Sequence, residues 1–211
     1  MKTLTDEDAA TVNLNPDTAK TVADLWAVAA PTTSSEDTRL NATEKQAFKF
    51  RARLVGYKKE FDPSSPKANK GDQDFHIVIA DLQDPSKTMV VEIPDPTCGG
   101  VCASPQLQKI SDARKEFASK FPSDPPDKDF RVVQGHVEVD VTGVGFFDFS
   151  HGQTGLAKNC IELHPVIAIR FAEPGPFTAK IDHAAQPPKH PNAWYACIPK
   201  GSSRHGSTPH P

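Results

Sequence analysis

The sequence predicts a mainly β protein: a five-stranded barrel with one helix between strands three and four, plus a short N-terminal helix. Three observations carry this. The apolar residues of the 211-residue chain concentrate between Phe48 and Phe171. Most of that stretch alternates with period two, the pattern of half-buried strands. A single segment inside it, 104–121, repeats instead at three- and four-residue steps, as an amphipathic helix does.

Taken in order, Asn15-Pro16 reads as a helix start, with Asn as N-cap and Pro at the first helical position. Ala19, Val22, Leu25, Trp26 and Ala29 follow at helical spacing, so a short helix is expected over 16–29, with Trp26 packed on the barrel. Residues 31–43 are a polar linker. From Gln46 to Tyr57, Phe48, Phe50, Ala52 and Leu54 fall on one side and Lys49, Arg51 and Arg53 on the other: strand one. Asp74–Leu82 and Thr88–Ile93 are strands two and three, joined through Asp84-Pro85 as a hairpin. Ser104-Pro105 opens the helix that carries Leu107, Ile110, Ala113, Phe117 and Phe121. Phe130–Phe149 is strand four. Its Gly143 and Gly145 predict a bulge or bend. Cys160–Phe171 is strand five, in which Pro165 implies an edge position or a bulge.

Strand, strand, strand, helix, strand, strand is the element order of an OB-fold barrel. The chain therefore divides into an N-terminal segment, 1–43, an OB-fold-like barrel, 44–173, and a Pro-rich C-terminal tail, 174–211.

Composition narrows the function. The net charge is −3, which weighs against a protein dominated by phosphate contacts while leaving room for a local basic face. There is no secretory leader pattern and no apolar run long enough to span a bilayer, so a soluble, cytoplasmic protein without a membrane partner is the default expectation. Cys98, Cys102, Cys160 and Cys197 are too few for a disulfide scaffold. Cys98 and Cys102 are compatible with either a local bridge or free thiols.

Two segments are distinctive. One runs Asp72-Gln-Asp-Phe-His-Ile-Val-Ile-Ala-Asp81, followed by Met89-Val-Val-Glu-Ile-Pro-Asp-Pro-Thr-Cys98. The other is Gly143-Val-Gly-Phe-Phe-Asp-Phe-Ser-His-Gly-Gln-Thr-Gly155, followed by Asn159-Cys-Ile-Glu-Leu-His-Pro-Val166. Together they resemble a family of largely uncharacterised bacterial proteins with the pattern D-x-D-[YF]-H, E-[IV]-P, G-F-F-D-x-x-H-G-Q-x-G and N-G-I-E-L-H-P-V. The resemblance covers roughly Phe48–Phe171 and touches Trp26. It implies a compact barrel and supplies no activity. Cys160 stands where the pattern has Gly.

The polar residues of these motifs are the site candidates. Asp74 and His76 share a face of strand two, with Glu92 on the neighbouring strand. Glu162 and His164 share a face of strand five. Asp148 and His151 close strand four. His76, His164 and Glu162 are the candidate catalytic groups; His76, His164 and Glu92 are candidate ligands for a divalent metal; Asp74, Glu92, Asp148 and His151 are candidate binding residues. The competing reading is structural: a barrel histidine bonded to a neighbouring carboxylate, and a turn closed by Asp148 and His151.

Three function classes follow. The first is a binding module whose ligand is single-stranded nucleic acid or an oligosaccharide, engaged through Arg51, Arg53 and Tyr57 on strand one. The second is a metal-dependent or acid/base hydrolase, nuclease-like, built on the His/carboxylate residues. The third is an interaction protein that recruits partners through its tails.

Overall fold

The computed structural model describes residues 1–32, 38–60, 73–122, 129–150 and 152–181. Its eight strands are β1 (Asn13–Asp17), β2 (Gln46–Lys59), β3 (Phe75–Ala80), β4 (Thr88–Ile93), β5 (Arg131–Val133), β6 (Glu138–Phe147), β7 (Ile161–Phe171) and β8 (Ala179–Ile181). The helices are α1 (Val22–Trp26), α2 (Gly99–Cys102) and α3 (Leu107–Lys120).

Five strands close on themselves in the order β2–β3–β4–β7–β6–β2. All the pairings are antiparallel except β4 with β7, which is parallel. With α3 between the third and fourth barrel strands, this is an OB-fold-like barrel. The 14-residue β2 makes closure work by serving both halves of the sheet. Its first half pairs with β6, its second with β3 and, at Gly56 and Tyr57, with β5.

The interior is filled by Phe50, Ala52, Leu54, Ile77, Ile79, Met89, Val91, Ile93, Val139, Val141, Ile161 and Leu163, with Ile110, Ala113 and Phe117 of α3 packed against one end. A ring cluster of Tyr57, Phe75, Phe117, Phe121, Phe171 and Phe177 seals that end, with neighbouring centroids 4.8–6.5 Å apart. Such contacts add to area burial by roughly 0.5–1.5 kcal/mol per pair.

The bulges fall where Gly and Pro place them. The β6–β7 register slips between Thr142 and Gly143 and again between Gly143 and Gly145, opposite Pro165. A Cβ on Gly143 would stand 2.8 Å from the Leu163 Cβ, so only glycine lets the strands approach there. β7 pairs with β6 along its length and with β4 at Glu162 and Leu163, and the β6 register slips at Pro165, so this proline marks a bulge. Cys160 has φ +58°, a left-handed conformation that ordinarily favours glycine.

Several boundaries correct the sequence reading. Asn15-Pro16 does not open a helix: it lies in β1, which runs parallel beside β2. Proline is compatible with that peripheral strand because it needs no ladder donor there. The first helix is α1, capped by Thr21 and Asp24 in a reciprocal box. Trp26 does pack on the barrel, its indole donating to the Thr88 carbonyl at 2.6 Å. Ser104-Pro105 forms a turn, and α3 begins at Leu107. The fourth strand is two, β5 and β6, separated at Gly135 with φ +83°. Within 174–211, Phe177 stacks on Phe171 and β8 pairs with β5. Cys98 and Cys102 are not disulfide-bonded, whereas Cys160 is. Among the described residues, no helix is long and apolar enough to cross a membrane.

Candidate functional site: a buried His/carboxylate centre

Odd positions of β3 and β4 point into the barrel, so His76 and Glu92 point out. They are direct cross-strand partners. The parallel pairing of β4 with β7 sets Glu162 opposite Val90, which brings His164 to the same outer patch. Residues 1–4 and the loop before β7 cover that patch. All five side chains are consequently buried: Asp74, His76, Glu92, Glu162 and His164.

Glu92 is the centre. One of its oxygens lies 2.8 Å from Nδ1 of His76 and the other 3.0 Å from Nδ1 of His164. His76 Nε2 meets the Thr154 carbonyl at 2.9 Å. His164 Nδ1 also faces Glu162 Oε1 at 3.3 Å. Asp74 accepts the Asp95 backbone N–H through Oδ1, leaving Oδ2 3.4 Å from His164 Nε2. That approach is close for charges but lacks the alignment of a hydrogen bond, and Nε2 is buried without one. One donor atom each from Asp74, Glu92 and His164 lie within 4.8 Å of one another, as do one each from Glu60, His76 and Glu92.

The electrostatics follow from crowding charge into low dielectric. Burial disfavours the imidazolium of His164. Facing Glu92, with Asp74 and Glu162 beside it, the ring is nonetheless held well above the usual histidine value. His76 is raised against burial by its bond to Glu92. Glu92, despite burial, is pulled well below the usual carboxylate range by His164 and His76. Glu162 moves the opposite way: burial and the charge of Glu92 push it up to about 7.

Asp148 is also buried at the rim, bridged to Lys2 at 3.3 Å. His151 and Asp72 lie outside the described residues. The strand-one candidates are elsewhere. Arg51 is clamped by two 2.9 Å bonds to Asp140 across the β2–β6 ladder. Arg53, two residues on, also lies away from the centre, and its Nε is buried without a hydrogen-bond partner. Tyr57 belongs to the aromatic core at 4% exposure and is not a stacking platform. The register slip of β2 between Leu54 and Gly56 is the reason: one extra residue turns Tyr57 inward, where strict alternation from Leu54 would leave it outside.

Lys2, Glu60 and Thr154 are components the sequence reading missed. Lys2 and Thr154 lie outside any periodic segment and reach the centre from a terminus and a loop, while Glu60 follows directly on β2, past the register slip that changes its face. No family model, curated protein or solved structure matches the chain.

Proposed function

We propose that the protein is a metal-binding module that holds a divalent transition-metal ion on the outer face of the barrel, with Asp74, Glu92 and His164 as protein ligands. The observation that carries this is His164 Nε2: a fully buried ring nitrogen with no hydrogen bond, aimed at a carboxylate oxygen 3.4 Å away. An unmet polar atom of this kind costs about 1–3 kcal/mol. Ligands bound about 2.0–2.2 Å from a tetrahedral Zn²⁺ stand about 3.3–3.5 Å apart; Asp74 and His164 have that separation, at 3.4 Å, and a Glu92 oxygen lies within 4.8 Å of both. Imidazole with carboxylate suits zinc and its first-row neighbours better than calcium or magnesium.

The ligands are held from behind. Asp74 is fixed by the Asp95 backbone, and Glu92 is oriented by His76, whose far nitrogen is held by Thr154. The test is titration of the chelator-treated full chain with zinc chloride, followed calorimetrically. We expect one equivalent bound by the native sequence and loss of binding in His164→Ala and Glu92→Gln. A native chain that takes up no Zn²⁺, Mn²⁺ or Co²⁺ ends the reading.

A second reading, the metal-dependent or acid/base hydrolase, draws on Glu162. A carboxyl held at about 7 is matched to proton transfer at neutral pH. Hydrolysis of an activated phosphodiester by the metal-loaded protein, abolished in Glu162→Gln with metal still bound, separates this reading from binding alone.

A further inference from the structure

The N-terminal residues are held in place over the centre by contacts that do not involve it. Arg39, buried at 3% exposure, grips Asp6 through two bonds of 3.0 and 2.9 Å and donates to the carbonyls of Met1 and Glu44. Leu4 turns back onto Met1 through a 3.0 Å backbone bond and is buried with Val12, Ala47 and Val144 in a small second core on the outside of the sheet. Between these anchors, Lys2 reaches its ammonium to Asp148, 3.3 Å away, and over the ring of Phe146, 5.3 Å from its centroid. Phe146 in turn stands edge-on to His164. The acidic groups facing Lys2 are Glu162, Glu92 and Asp148. Two of these belong to the centre.

We infer that Lys2 is the built-in cation of this centre: its ammonium balances the carboxylate charge when no metal is bound and competes with an incoming divalent ion, so that it sets the affinity of the site. The inference rests on the metal reading above. Glu92 carries a full negative charge and Lys2 a full positive one. A dication placed beside Glu92 therefore meets attraction from the carboxylates and repulsion from Lys2, which the same carboxylates attract, in a partly desolvated setting where such terms are weakly screened. Because the strap is latched by Arg39 and Leu4, the charge of Lys2 can be removed without releasing the segment. The Lys2 side chain itself is 41% exposed, so its loss leaves no buried cavity.

The experiment compares zinc chloride affinity in the native chain, Lys2→Met and Lys2→Arg, by competition with a chromophoric chelator at fixed pH and salt. Charge repulsion of this size is worth about tenfold in affinity or more. Lys2→Met is expected to bind at least that much tighter than the native chain, with Lys2→Arg staying within about threefold of it. Equal affinities in all three chains overturn the role of Lys2 and leave the metal site standing. Tightening in both variants assigns the effect to disturbance of the strap and overturns charge competition. No binding in any of the three overturns both readings.

Discussion

Glu92 presents one carboxylate oxygen to each of two imidazoles, and that arrangement makes the two rings depend on it. Removing its charge leaves two raised-pKa rings in a buried site with no common counter-ion. Breaking a buried pair in this way costs about 3–5 kcal/mol. Glu92→Gln is therefore expected to lose stability on that scale, measured by urea unfolding near pH 5.5, where the rings are charged. A change below about 1 kcal/mol would show that the three groups are not coupled. At this scale the sequence was informative about identity and silent about contact. Alternation put Asp74 with His76 and Glu162 with His164 on shared strand faces. It could not show that the two faces meet, because that depends on which strands become neighbours. Tyr57 went astray for the complementary reason: a single bulge reverses the parity on which face assignment depends.

At the scale of elements, the most telling residue is Asn159. Its side-chain amide donates to the carbonyls of Leu25 and Val28 at 2.9 and 2.8 Å, at the end of α1. A five-residue helix is too short to persist alone. Asn159 caps its C-terminal carbonyls from across the molecule and ties it to the start of β7. Asn159→Ala removes both bonds, leaving the Leu25 carbonyl only its local backbone donors, and is expected to cost about 1–2 kcal/mol, with faster amide exchange at Val22–Trp26 as the specific sign that α1 has come loose. Unchanged exchange there would disprove the tether. Arg114 plays a comparable part for α3. It donates to the carbonyls of Ile93 and Gln73, pairs with Asp95, and lies over the ring of Phe75. Strand and helix identities were readable from periodicity, and β4 was bounded correctly. Ties of this kind were not, because a lone Asn or Arg carries no periodic signal. The misplaced start of the first helix has the same origin: Asn-Pro is a local preference, and pairing of β1 with β2 overrides it.

For the whole molecule, the centre sets how stability responds to pH. His76, His164 and Glu162 hold their protons more tightly when folded. Their contribution is complete below the ordinary values of 6.5 for histidine and 4.5 for glutamate and drains away as pH rises through the raised folded values. Glu92, depressed on folding, contributes above 4.5 and loses its contribution as pH falls through its lowered value. The metal-free protein should therefore show its highest thermal midpoint between pH 4.5 and 6.5, with lower midpoints at pH 3 and pH 8. A midpoint that climbs steadily from pH 5.5 to 8 would contradict the proton affinities assigned to these groups. The parallel seam between β4 and β7 has a further consequence, for the order in which the protein assembles. His76 and Glu92 sit 16 residues apart on one hairpin, a contact that closes a short loop. His164 reaches them only when the distant seam forms, and contacts of such separation are entropically late. A nascent or partly opened chain would thus carry part of the centre, one ring with the carboxylates of Asp74 and Glu92, and the arrival of the second ring would report that the barrel has shut.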